Sequence, residues 1–489
     1  MISIKQKSLL ILCLILLEIS CTCFKVFAQE TTKEPIDLMA PLKLSIAKTE
    51  NYFVSLEDVL KLAIENNIPL QITKEQEKID KLDVYTKISA LLPDVIPSYD
   101  QSRFQGGFQI FGNQTFLFAR TSITPRLTVN YKLFSGGESV YNILAAKRTH
   151  KATEYSIINS ANNLLKDTTN TYYELLKANK ILEIAKKEVE ESEALLELNQ
   201  SRLDVGLGTI LEVSQSESQL AESKRKYIDA NKNILKITQH LNRILNLPIE
   251  LNLIPSDTEI LKHTLINETE MSTLLDLAVE NRADLQEIKQ LKKVYMAQRG
   301  VARSKFFPTL DLQVYWGGQG PRFSDIEEQR QIGYGVRLDF LKNLGMNYVS
   351  NYKKSKPLLK QVDLRIEQKW RDIETEIADA LLEAETSERQ IEVAKTGLKA
   401  AEDSFSYATE RLKAGVGTNI DVLSAQTRLT TSRTNLLSSV IDYNKSQINM
   451  MNSIGIITID KILGNEPVIP VKQTDITQET DKETTLEEK

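Results

Sequence analysis

Two short stretches, Arg202–Thr209 (RLDVGLGT) and Arg411–Thr418 (RLKAGVGT), restrict what this 489-residue chain can fold into. Each breaks abruptly between two long segments of helical character that contain no proline. Gly206 and Gly415 suit the left-handed position that ends a helix, and Thr209 and Thr418 suit the N-cap of the helix that follows. Three residues after each Thr stands an acid, Glu212 or Asp421, which completes a capping box. With Gly208 and Gly417 between the two caps, each stretch predicts a tight helical hairpin tip.

The tips belong to a larger duplication. Ala63–Leu70 (AIENNIPL) is matched by Ala278–Leu285 (AVENRADL) at an offset of 215 residues, and the same offset carries Pro93 onto Pro308. The tips repeat at an offset of 209. A chain of this length ordinarily divides into several domains, but the repeat predicts one unit made twice, over 55–265 and 268–460.

Each half opens with a helical pattern. Ser55 and Asp58 form a capping box at the start of a helix that runs to Leu92. After each proline the period changes from helical to alternating. Leu310, Leu312, Val314 and Trp316 oppose Asp311, Gln313 and Tyr315; Leu127, Val129, Tyr131 and Leu133 oppose Thr128, Asn130 and Lys132; Val336, Leu338 and Phe340 oppose Arg337 and Asp339. The pattern predicts two strands per half, over 94–134 and 309–341, joined by loops at 105–122 and 319–331.

The segments around the tips carry heptads. Approaching the second tip, Ile391, Leu398, Phe405 and Leu412 recur every seven residues; leaving it, Val422, Leu429, Leu436, Tyr443 and Met450 do the same. Ala394, Ala401, Ala408, Ala425, Ser432, Ser439 and Ser446 are interleaved. The first half repeats this with Leu182, Val189, Leu196 and Leu203 inward, and Val213, Leu220, Tyr227, Ile234 and Leu241 outward, alongside Ala185, Ser192, Ser216, Ser223 and Ala230. Large residues alternating with small ones at 3-4 spacing form a close antiparallel coiled-coil seam.

The N-terminus reads as an export signal over 1–28: Lys5 and Lys7 precede an apolar run, Leu9–Leu17, and Val26-Phe27-Ala28 offers a cleavage site. All three cysteines (Cys13, Cys21, Cys23) precede that point, so a chain starting near Gln29 has no thiol for disulfides, metal binding or nucleophilic catalysis. Lipidation at Cys21 or Cys23 is the alternative, although Glu18-Ile19-Ser20 fits the usual pattern poorly. Residues 1–28 carry +2 of the formal net charge of −5, leaving −7 for the rest, a balance that argues against nucleic-acid binding. No later run of 18 apolar residues occurs, so any membrane passage must use a β-barrel. Residues 29–54 read as an extended leader and 461–489 as a polar, disordered tail.

Four amphipathic strands cannot close a barrel alone, since known barrels begin at about eight strands, so the chain must borrow strands from copies of itself. These features together resemble the TolC family of outer-membrane efflux proteins. The resemblance rests on both Gly-x-Gly-Thr tips, the Ala-x-Glu-Asn helix starts, Pro93, Pro308, and Leu133–Gly137 (LFSGG) at the end of a strand. It implies an α+β membrane protein: a homotrimer whose duplicated hairpins form an α-barrel across the periplasm, with four strands per chain in a twelve-stranded barrel through outer-membrane lipid. It further implies an exit duct of tripartite efflux or type I secretion, docking through its tips (Gly206, Gly208, Thr209, Gly415, Gly417, Thr418) onto a periplasmic adaptor and an inner-membrane pump or ABC transporter.

In well-known relatives an Arg follows the second Gly-Thr, and two Asp residues three apart ring the closed entrance. Here Asp421 matches the first Asp, Asn419 stands near the place of the Arg, and Ser424 falls at the second Asp. Asp421 is therefore the candidate pore gate, a role compatible with capping, whereas for Glu212, its first-half counterpart, the capping role comes before the gate. A soluble periplasmic coiled-coil adaptor or spacer shares the heptads but has no need of the strands. Catalysis, a cofactor and a metal site find no support: His150, His240 and His263 are isolated in the sequence, Met450-Met451 falls on a core seam, and Gly136-Gly137 reads as a strand-to-helix turn.

Overall fold

The computed structural model describes residues 51–109, 115–257, 261–266 and 270–465. The expected signal peptide with its cysteines, most of the leader and most of the tail lie outside these residues. The first half runs β1 (Asn51–Val54), α1 (Leu56–Asn66), α2 (Ile68–Ser89), β2 (Asp94–Gln109), β3 (Thr115–Phe134), α3 (Glu138–Asp204), α4 (Ile210–Leu245) and β4 (Asn252–Pro255). The second runs α5 (Met271–Asn281), α6 (Ala283–Ser304), β5 (Thr309–Gln319), β6 (Glu327–Arg337), α7 (Met346–Lys413), α8 (Asn419–Ile454) and α9 (Ile459–Ile462).

Helix α1 starts as expected, with Asp58 N–H donating to Ser55 Oγ at 3.2 Å and Ser55 N–H to Asp58 Oδ2 at 3.3 Å. The helix does not continue unbroken to Leu92. Asn67 adopts an extended conformation (φ −65°, ψ 116°) and caps a new helix, accepting from Leu70 N–H at 3.1 Å, while Pro69 occupies that helix's first turn. The Asn67 amide also donates to the Ile244 carbonyl at 3.0 Å, fastening the kink to the end of α4.

In the second half Arg282 holds the same kink (φ −68°, ψ 112°) and donates to the Ser453 carbonyl at 3.1 Å, the counterpart of Ile244 at the tip offset. Arg282 also bonds Asp284 at 2.5 Å and Glu376, and Lys369 joins Asp284 at 2.8 Å. Burial disfavours the Asp284 carboxylate, but Arg282 and Lys369 outweigh it and hold its pKa down at about 2.

The long helices α3 and α7 contain 67 and 68 residues, so each is about 100 Å long at 1.5 Å per residue; contrary to the proline-free reading of these segments, α7 includes Pro357. Their return arms end in left-handed residues, Asn246 and Gly455. Short elements pack around the middle of the long helices, where the core lies. Tyr172, Leu175, Leu241, Leu245, Ile373, Ile377, Met450 and Ile454 are buried there, each apolar side chain contributing about 1.5–3 kcal/mol. The β1 and β4 strands pair in parallel, and Tyr172 Oη donates to Val54 O at 3.2 Å and Asp257 Oδ2 at 2.7 Å, tying both to α3. Sequence reading gave no strand at 51–54; at four residues with the partner some 200 positions away, β1 has no local signal.

The other four strands form one antiparallel sheet in the order β2-β3-β5-β6. The strands are longer than their alternation predicted: β2 reaches Gln109, β3 begins at Thr115 and β6 at Glu327, so the expected loops at 105–122 and 319–331 shrink. At the other end β6 stops at Arg337, and Phe340 lies in a 3₁₀ turn, not in a strand. A bulge at Leu133 sets Phe134 opposite Leu310, so Leu133 leaves the alternating row.

Candidate functional site: hairpin tips and a two-faced sheet

The two tips have the same geometry. Leu207 N–H donates to Arg202 O at 2.7 Å and Gly206 N–H to Leu203 O at 2.9 Å; Val416 N–H donates to Arg411 O at 3.0 Å and Gly415 N–H to Leu412 O at 3.1 Å. These are the paired bonds of a Schellman motif. The first glycine of each tip is needed for its backbone, with φ +73° at Gly206 and +77° at Gly415. The second is needed for space: a Cβ on Gly208 would lie 3.0 Å from Leu203 N, and one on Gly417 2.9 Å from Leu412 N. Both capping boxes close, with Glu212 N–H on Thr209 Oγ1 at 3.3 Å and Asp421 N–H on Thr418 Oγ1 at 3.2 Å, and with each carboxylate accepting from its Thr N–H in return. Hydrogen bonds from Thr418 hold the exposed Asp421 carboxyl below its usual pKa.

The two tips are joined side by side by residues that sequence reading did not select. The Arg202 guanidinium donates to the Leu412 carbonyl across the gap between hairpins. Asn199 donates to Ser216 Oγ at 2.7 Å and to Asn419 Oδ1 at 2.8 Å, and Asn419 donates to Gln215 Oε1 at 3.1 Å and Glu212 O at 3.4 Å. Asn199 and Asn419 are buried. One signal for Asn199 was present in the sequence: it follows Ala185 and Ser192 in the small-residue heptad and is the one member able to donate two hydrogen bonds. Asn419, noted only as standing near the expected Arg, bonds hairpin to hairpin within one chain.

The sheet at the far end of the long helices has two chemically distinct faces. Register aligns Val95, Val129, Val314 and Ile332 in one row across all four strands; Pro97, Leu127 and Trp316, a row that ends on β6 at Arg330, and Tyr131, Leu312 and Tyr334 lie on the same face. Tyr334 is 83% exposed and Ile332 74%, so among the described residues nothing covers this part of the apolar face. The opposite face aligns Asp94, Asn130 and Gln313, then Ser98 and Arg126, then Lys132 and Asp311. There Arg337 pairs with Asp311 at 2.6 Å, and the Arg126 guanidinium lies 5.6 Å from the Tyr315 ring centre. Tyr315 and Trp316 thus lie on opposite faces. Only Trp316 borders the apolar one, where its indole N–H donates to Glu328 at 2.9 Å. Among the described residues no helix is long and apolar enough to cross a membrane.

A family model for outer membrane efflux protein matches residues 89–247 and 274–455, one span in each half. The probable efflux pump outer membrane protein TtgC of Pseudomonas putida is 21% identical over 426 residues, which are 82% of this chain and 83% of TtgC. Outer membrane efflux protein BepC of Brucella suis is 21% identical over 411 residues, 83% of this chain and 87% of BepC. The solved CmeC outer membrane channel of Campylobacter jejuni shares the fold with a TM-score of 0.75 at 20% identity, covering 86% of this chain and 93% of CmeC.

Proposed function

The chain belongs to the outer membrane efflux protein family, a family of the cell outer membrane, and from that premise we propose that three copies form the exit duct of a tripartite efflux or type I secretion system. The observation that carries the reading is the four-stranded sheet, with one apolar face, one polar face and edges at β2 and β6 beside which no further strand lies among the described residues. In lipid an open edge costs several kcal/mol per unsatisfied backbone group, so the edges must find strands elsewhere. Four strands from each of three chains give a closed barrel of about twelve, within the range of outer-membrane barrels. From Phe134 to Pro125 the apolar face spans ten residues of β3, nine steps that cover about 30 Å along the strand and about 23 Å along the membrane normal at a tilt near 40°. That height suits a hydrocarbon layer of about 25 Å. A soluble spacer would have to cover the same face with something the described residues do not supply.

In this arrangement the polar face lines the duct, and the long hairpins continue it through the periplasm to an entrance at the tips. A periplasmic adaptor docks there and an inner-membrane pump or ABC transporter supplies the energy; the duct conducts passively and uses no cofactor. Asp421, exposed and held ionised by Thr418, repeats three times around the entrance as an anionic ring that attracts cations. Capping and gating are compatible in one side chain. Asp421→Ala should raise single-channel conductance or relieve block by polyvalent cations in planar bilayers, with Glu212→Ala the smaller effect; no change in either property would leave Asp421 as a cap alone. For the assembly, unheated gel electrophoresis of outer-membrane fractions should give a trimer band that collapses on heating. A soluble periplasmic monomer would refute the reading.

A further inference from the structure

Three side chains with metal-binding donors converge where α2 packs on α3, away from the tips and the sheet. Glu77 comes from α2, and His150 and Glu154 stand one turn apart on α3. His150 Nε2 lies 2.5 Å from Glu77 Oε1, and Nδ1 lies 3.6 Å from Glu154 Oε1. One donor atom from each of the three lies within 4.8 Å of the other two. The histidine that is isolated in sequence therefore sits between two carboxylates in the fold. Next to it, Thr153 Oγ1 donates to Asp80 Oδ2 at 2.5 Å, a second tie between the same helices.

The internal repeat shows that this arrangement is not a requirement of the fold. The 215-residue offset takes Glu77 onto Lys292, and the 209-residue tip offset takes Glu154 onto Asp363. Lys292 and Asp363 pair at 2.8 Å, which selects the tip offset at this level of the slightly longer α7. Leu359 stands at the position of His150. The second half thus joins its short helix to its long one by a simple ion pair, whereas the first half sets two carboxylates at the same place. Two such groups repel unless a cation lies between them.

We propose that Glu77, His150 and Glu154 form a site for a divalent transition-metal ion that clamps α2 to α3. An imidazole nitrogen with two carboxylate oxygens suits Zn²⁺, whose bonds to such donors are about 2.0–2.2 Å, with a fourth position left to water. One donor atom of each residue already lies within 4.8 Å of the other two, and for the metal to sit on one imidazole nitrogen the carboxylate that now faces the other nitrogen must turn towards it. In this role the metal does for the first half what the Lys292–Asp363 pair does for the second.

The test is Zn²⁺ titration, by calorimetry, of the chelator-treated full-length assembly in detergent, with helix melting followed alongside. The expected result is one Zn²⁺ per chain and a higher melting temperature with Zn²⁺. His150→Ala and Glu154→Gln should each lower affinity at least tenfold. Glu77→Lys copies the second half: it should abolish Zn²⁺ uptake while the metal-free melting temperature stays at or above that of the wild type, which separates loss of metal from loss of fold. No Zn²⁺ uptake by the wild type, or uptake unchanged in His150→Ala, would overturn the proposal.

Discussion

The two hairpins share their tips but not their flanks. In the first, the flank of α3 is covered by α8: Gln426 Nε2 donates to Ser192 Oγ at 2.9 Å and Glu188 O at 3.3 Å, Arg433 pairs with Glu191 at 2.9 Å, and Lys445 with Glu174 at 2.7 Å. The tip offset carries Glu188 and Ser192 onto Gly397 and Ala401 of α7. There, among the described residues, a groove between α7 and α8, lined by Arg389, Val393, Gly397, Asn435 and Ser439, stands open. The same offset carries Gln426 back onto Glu217 of α4, which is exposed. Each chain therefore displays one hairpin-to-hairpin contact complete and holds both sides of a second, unmade one. In the trimeric duct proposed above, that second contact is made between chains.

The largest difference between the halves should come from their kinks. Arg282→Ala breaks a buried ion-pair network and should cost about 3–5 kcal/mol, whereas Asn67→Ala should cost about 1–3 kcal/mol, read from denaturant melts followed by circular dichroism. Equal losses would contradict the unequal roles assigned here. The pH profile sharpens the contrast. Asp284 has a folded pKa of about 2 against an ordinary value near 3.9, so its stabilisation is complete above about pH 4 and is lost as pH falls towards 2. Arg282→Ala should flatten that acid dependence.

Next in size is the polar junction between hairpins. Asn199→Ala leaves Asn419 and Ser216 without their buried donor and should cost about 1–3 kcal/mol, while its counterpart on α7 is already Ala408. The tips, by contrast, should respond alike: Gly206→Ala and Gly415→Ala each force an L residue into the left-handed region at about 1–2 kcal/mol. A clear difference between those two would break the equivalence of the tips. Smallest are the caps, Thr209→Ala and Thr418→Ala, at about 1 kcal/mol each. Because Thr418 lowers the Asp421 pKa, the second cap stabilises above the ordinary carboxylate range and fades as pH falls through the lower folded value. Thr418→Ala keeps the backbone N–H to Asp421 but loses the side chain, and should weaken that dependence.

What was legible in the sequence was whatever is encoded locally. Caps, left-handed glycines and heptads are set by residues three to seven apart, so both tips, both long coils and the duplication could be read directly. Strand identity was readable from alternation, but strand length was not: Gly, Gln and Arg at 317–319 and 327–331 suggest a loop, and only pairing across β5 and β6 makes them strand. The Leu133 bulge likewise depends on register with β5. The functional contacts that escaped notice are long-range. Asn199 meets Asn419 from 220 positions away, and Glu77 meets His150 from 73; no spacing rule connects either pair. The asymmetry of the flanks was invisible for the same reason, since it depends on which helix covers which.

The most direct test uses that asymmetry. All three natural cysteines precede the expected cleavage point, so introduced pairs can be read cleanly. Ser192→Cys with Gln426→Cys should close within a chain and run as a monomer on a denaturing, non-reducing gel. Glu217→Cys with Ala401→Cys, the same contact moved by one repeat, should instead close between chains and give covalent dimers and trimers from outer-membrane fractions. If the first pair oxidises while the second yields only monomer, the open flank of the second hairpin does not meet another copy, and the trimeric duct is wrong.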